Sequence, residues 1–143
     1  MGAGLRAGPV RCFERERTTD EFAPPHRPNT MSEAADFVVL ERHELPGAEL
    51  EGGRYGGARV CLIFVDAAPG EGPRLHQHPY EEVFIILEGQ PRFTVGQRTL
   101  DARPGQVLIV RPHVAHKFVN AGAGRLRQID VHASPRFETE WLE

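Results

Sequence analysis

Short runs of apolar residues, several alternating with polar ones, recur along this chain from residue 37 onward, and glycine and proline punctuate them. A period of two sends successive side chains to opposite faces of a strand, so alternating runs read as strands with one buried face. The runs cover 37–40, 59–65, 82–87, 92–95, 98–100, 106–110, 116–120 and 126–132. Between them stand Pro46-Gly47, Pro69-Gly70, Gly89-Gln90-Pro91, Pro104-Gly105, Arg111-Pro112 and residues 121–124, each a turn signal. Gly96-Gln97 closes a tight hairpin. The four glycines within 52–57 predict a flexible loop that packs nothing. Residues 137–142 form either one helical turn or a lid across the strands. Eight to ten short strands at near-regular spacing predict an all-β sandwich or barrel.

Residues 1–30 break this pattern. They mix Gly, Arg, Pro and Glu without a period, and the proline-rich stretch 23–29 can hold neither a helix nor a central strand. They read as a tail without function or an upstream extension before a start at Met31, with His26 solvated. The domain is then 31–143, with its core in 37–133. A chain of 143 residues suffices for one core, and 40% hydrophobic and 26% charged residues fit an ordinary soluble domain. Net charge of −3 gives no basic surface for nucleic acid and no polybasic patch for a membrane. No run approaches the roughly eighteen apolar residues a membrane span needs. Cys12 and Cys61 lie far apart and read as plain thiols, and no apolar leader follows the N-terminus, so the expected compartment is the cytoplasm.

Candidate chemistry concentrates in residues 70–89. His76 and His78 are two apart, so on an extended strand their imidazoles leave one face, and Glu82 opens the next strand just beyond Pro79-Tyr80-Glu81. Two imidazoles and a carboxylate converging are a metal-binding set suited to zinc, iron, nickel or manganese, and His116 is the candidate third imidazole. Phe84 and Ile86 share the face of Glu82, and Phe118 shares that of His116, so all three would point into the barrel below the ion. Arg74 and Tyr80 flank the ligands, and His113 follows a turn proline at the rim. Gln128, Asp130 and His132 alternate with Ile129 and Val131, so either the polar set lines the mouth or it is wet and the apolar set is core. Arg74, Tyr80, Phe84, Ile86, His113, Phe118 and His132 are the substrate-pocket candidates; His43 is expected to be exposed.

These residues resemble the cupin family. Gly70, His76, His78, Glu82 and Gly89 match every fixed position of its first motif, and Gly105, Pro112, His116 and Asn120 match four of the second. The chain departs at one place: Pro112 stands one residue closer to the histidine, and His113 takes the position of a glycine. The resemblance implies a double-stranded β-helix, or jelly roll, of two packed antiparallel sheets. It also implies one divalent metal ion (Fe, Mn, Ni or Zn) on His76, His78, Glu82 and His116, with a small-molecule pocket at the barrel mouth. No general base stands out, so the catalytic residues stay open. The function is either a metal-dependent enzyme, of dioxygenase or isomerase/cyclase type, or a non-catalytic sensor or carrier of a small ligand. The metal-free sugar-nucleotide epimerase branch is disfavoured by the full ligand set. A homodimer is expected, because an open jelly roll has sheet edges to protect.

Overall fold

The computed structural model describes residues 36–143, so the expected tail 1–30, with Cys12 and His26, lies outside the described residues. Ten strands follow in order: β1 Glu49–Glu51, β2 Cys61–Ala67, β3 His76–Gln77, β4 Glu82–Glu88, β5 Pro91–Val95, β6 Arg98–Asp101, β7 Val107–Val110, β8 His116–Asn120, β9 Leu126–His132 and β10 Glu140–Trp141. They build two five-stranded antiparallel sheets, ordered β1-β2-β9-β4-β7 and β10-β3-β8-β5-β6. The jelly-roll expectation is met, with single turns of 3₁₀ helix as its sole helices among the described residues.

Alternation decides which residues enter the space between the sheets. Val65, Ala67, Phe84, Ile86, Val110 and Leu126 from one sheet meet Phe93 and Phe118 from the other in one apolar cluster. The rings of Phe84 and Phe93 pack edge to face at 5.0 Å, and those of Phe93 and Phe118 lie 5.6 Å apart. Each such side chain contributes about 1.5–3 kcal/mol by leaving water. The opposite face of the first sheet is apolar too, in two rows fixed by register: Leu62, Val131, Val83 and Ile109, then Phe64, Ile129, Ile85 and Val107.

Three expectations need correction. Residues 37–40 form no strand and are exposed, because Glu49–Glu51 takes the edge place beside β2. The strand expected at 59–65 is shifted to Cys61–Ala67, where pairing with β9 runs through Ala67 opposite Leu126. Two of the four glycines of 52–57, Gly52 and Gly53, lie against other backbone, whereas Gly57 meets open space. Gly52 is buried and donates its N–H to the Val60 carbonyl at 3.0 Å, and a Cβ there would lie 2.1 Å from that same oxygen.

Two motif positions show what the backbone demands. Gly89 ends β4 at φ +92, and a Cβ would stand 2.5 Å from the Arg125 carbonyl oxygen. His113, in the family's glycine position, has φ +61, left-handed backbone that costs a non-glycine residue about 1 kcal/mol. Its amide donates to the His78 carbonyl at 2.8 Å, which ties the turn to the residue that follows β3. Gly89→Ala is expected to destabilise the fold by roughly 2 kcal/mol or more, and His113→Gly to stabilise it by about 1 kcal/mol. Urea unfolding of the two variants checks both signs.

Candidate metal centre

Strand pairing assembles the site from four segments. His76 on β3 faces His116 on β8 in register, and Glu82 on β4 faces His132 on β9. His78 follows β3, held by the tie to His113. His76, His78, Glu82 and His116 are all buried, and one potential ligand atom from each lies within 4.8 Å of every other. The four residues read from sequence therefore meet in one group that could hold a metal ion.

Each of the three imidazoles is fixed from behind by a backbone carbonyl. Nδ1 of His76 donates to Arg74 O at 2.6 Å, that of His78 to Glu138 O at 2.8 Å and that of His116 to Val114 O at 2.8 Å. A carbonyl only accepts, so in each neutral ring the hydrogen sits on Nδ1 and Nε2 presents a lone pair. Three such lone pairs facing a carboxylate are all acceptors, and a cation or shared protons among them would relieve the contacts. A proton between His116 Nε2 and Glu82 Oε2, 2.7 Å apart, satisfies one contact. His78 Nε2, 3.1 Å from the same oxygen, still has no hydrogen bond among the described residues. The donor set fits a divalent ion, and the carbonyl partners supply the outer support such ligands need.

The electrostatics follow from burial and crowding. Burial drives the His76 and His132 imidazoles down to about 4. Burial alone would raise the Glu82 carboxyl, but His116, His78 and His132 outweigh it and hold the group below the ordinary carboxylate range. For His116 burial lowers the pKa, and the Glu82 carboxylate more than reverses this. Deeper on β9, burial and the charge of Glu82 push Asp130 well above the usual range, and Gln128 Nε2 donates to it at 2.7 Å.

The pocket candidates divide by position. Gln128, Asp130 and His132 point inward and are buried, which decides between the two readings of β9. Phe84, Ile86 and Phe118 lie in the packed core beneath the ligands. The buried Tyr80 stacks on His78 at 5.1 Å, and its hydroxyl donates to Glu138 O and accepts from Glu138 N. Burial holds that hydroxyl up to about 12, so it stays protonated. Arg74 lies over Trp141 at 4.9 Å and donates to Glu143 O. His113 lines a cavity of about 250 Å³ with Gln77, His78, Pro79, Glu138, Thr139 and Glu140. His43 is exposed as expected, and Cys61, buried, donates its thiol hydrogen to Ser134 O.

Sequence reasoning missed the part played by the C-terminal segment. It forms no helical turn: β10 pairs with β3, bringing Trp141 within 5.2 Å of the His76 ring, and Glu138 anchors His78 through its carbonyl. A backbone carbonyl leaves no residue-type signal. Asn120, a motif residue, serves the fold, since its amide bridges Ala67 O and Gly124 O.

Comparison with known proteins agrees with this architecture. The cupin domain profile matches residues 63–132. An uncharacterized protein of Streptomyces coelicolor is 32% identical over 83 residues, which are 58% of this chain and 77% of that protein. The Streptomyces cyaneus protein named polyketide synthase CurC is 34% identical over 68 residues, 47% of this chain and 44% of its own length. The chain thus matches less than half of that second relative. Among solved structures, Bacillus subtilis oxalate decarboxylase, described with Mn(II) centers, is similar in fold with a TM-score of 0.59 at 22% identity, over 64% of this chain and 26% of that one. With two jelly-roll sheets, both sequence motifs and these relatives in agreement, the chain belongs to the cupin family.

Proposed function

We propose that this cupin is a divalent-metal-dependent enzyme acting on a small organic molecule. The observation that carries this reading is the sorting of ring nitrogens: three Nδ1 atoms are spent on carbonyls, so three Nε2 atoms and the Glu82 carboxylate converge on one point. His76, His78, Glu82 and His116 would hold the ion, leaving about two positions of an octahedral shell open. A bound Fe, Mn, Ni or Zn ion supplies Lewis acidity there, and iron or manganese adds redox chemistry, which suits dioxygenase or isomerase/cyclase reactions. A substrate would reach those open positions from the barrel mouth, since the rim cavity lined by His113 and Glu138 touches the group through His78 alone. Phe84 and Phe118 close the barrel below the ligands and keep water from that side. Metal analysis of protein purified without chelators tests the reading. Near-stoichiometric divalent metal is expected in the wild type, and about a tenth of it or less in His76→Ala. Iron with oxygen uptake points to a dioxygenase, and tight zinc to isomerase or cyclase chemistry. A wild type that takes up no metal, or a His76→Ala protein that keeps it, overturns the reading.

We further propose that the chain pairs with a second copy of itself through β7. Three of the four sheet edges carry charges that discourage pairing: Glu49 and Glu51 on β1, Arg98 and Asp101 on β6, and Glu140 on β10. β7 is Val107-Leu108-Ile109-Val110, with Val107 and Ile109 58% and 62% exposed. Antiparallel pairing of this strand with its own copy about a two-fold axis brings no like charges opposite each other and continues both outer apolar rows into the partner. Light scattering during gel filtration is expected to give the dimer mass for the wild type and the monomer mass for Ile109→Lys. A monomeric wild type, or a variant that remains dimeric, overturns this assignment.

A further inference from the structure

Four imidazoles, not three, surround Glu82. His132 is 2% exposed, stands opposite Glu82 in register, and places Nε2 3.2 Å from Glu82 Oε1. The other carboxylate oxygen, Oε2, faces His116 at 2.7 Å and His78 at 3.1 Å. The carboxylate is therefore divided: one oxygen is turned to the ligand histidines and the other to His132.

His132 differs from the other three rings in what lies behind it. Its Nδ1 meets no carbonyl and has no hydrogen-bond partner among the described residues. The ring is instead walled by aromatic groups, with Phe137 at 5.0 Å, His78 at 4.8 Å and Tyr80 at 5.7 Å, all near edge to face. A carbonyl at Nδ1 fixes the hydrogen there and frees Nε2 as a ligand. With no acceptor at Nδ1, the Glu82 carboxylate is the one acceptor in contact with the ring among the described residues, and it draws the hydrogen to Nε2. A nitrogen bearing hydrogen donates and does not ligate.

Resting on the metal reading above, we propose that His132 is a positioning residue: its Nε2–H holds Oε1 of Glu82, so that Oε2 alone is presented to the metal. The 3.2 Å separation lies at the long end of the N–H···O range and lacks hydrogen-bond alignment, so a small rotation of the ring completes the contact. The cluster is thus sorted into three ligands and one donor by which backbone carbonyls the fold supplies.

Two measurements on the full chain test this. Nitrogen-15 NMR of the imidazoles in the metal-free protein reads the tautomers directly. His132 is expected in the Nε2–H form and His76 and His78 in the Nδ1–H form; a His132 hydrogen on Nδ1 overturns the proposal. Cobalt(II) titration then compares His132→Phe, which keeps a flat ring but has no donor, with His132→Gln, which keeps one. The Phe variant is expected to bind cobalt roughly 10–100-fold more weakly, and the Gln variant within a few-fold of wild type. Wild-type affinity in His132→Phe, or equal losses in both variants, rules out the donor role. Failure of the wild type to bind cobalt(II), and iron(II), manganese(II), nickel(II) and zinc(II) titrated in the same way, would instead refute the metal reading, and with it the role given to His132.

Discussion

A buried carboxylate surrounded by imidazoles is the constraint on which this molecule turns. Glu82 is 3% exposed, and its two oxygens lie within 3.2 Å of three imidazole nitrogens. Placing a carboxylate in an apolar barrel is costly unless charge and hydrogen bonds compensate it. The protein meets that cost by orienting the rings around it: backbone carbonyls of residues 74, 114 and 138 set three of them, and the fourth is left facing the carboxylate. The same orientation that satisfies the carboxylate produces a set of nitrogen lone pairs with a cation's geometry of approach. Stability and chemistry at the centre depend on one arrangement of hydrogen bonds.

The two sheets exist in the form they do because that arrangement needs both of them. The first sheet supplies Glu82 and His132 on neighbouring strands, and the second supplies His76 and His116 on another neighbouring pair. Core aromatics below fix the spacing of the sheets, since Phe84 and Phe118 are two positions from Glu82 and His116 on the same inward faces. Around the rim, the left-handed turn at His113 and the segment that leads into β10 hold His78 from two sides. A residue at the rim can therefore influence the centre through the backbone that holds a candidate ligand, as well as by direct contact.

Much of this was legible in the chain. Alternation places Glu82 with Phe84 and Ile86, and His116 with Phe118 and Asn120, and those faces are the buried ones. The inward turn of Gln128, Asp130 and His132 was not decidable from β9 alone. The inward face is polar at three of its four positions, and the half-buried apolar set Ile129 and Val131 belongs to an outer face that is itself apolar, so composition favours neither face. Residues 37–40 misled for a related reason: four apolar residues in a row have strand composition, but a strand needs an unpaired neighbour, and Glu49–Glu51 already occupies that edge. The loop 52–57 misled in the opposite direction, since glycine composition is shared by flexible loops and by places where two backbones touch.

What the sequence by itself determined is the fold class and the identity of the four candidate ligands, because strand period and motif spacing are local properties that survive without coordinates. Only the tertiary structure decided which nitrogen of each histidine faces the centre, that His132 joins the cluster on the far side of Glu82, and that the C-terminal segment anchors His78. Those outcomes depend on backbone carbonyls and on strand register, and neither is written in the identity of any single residue.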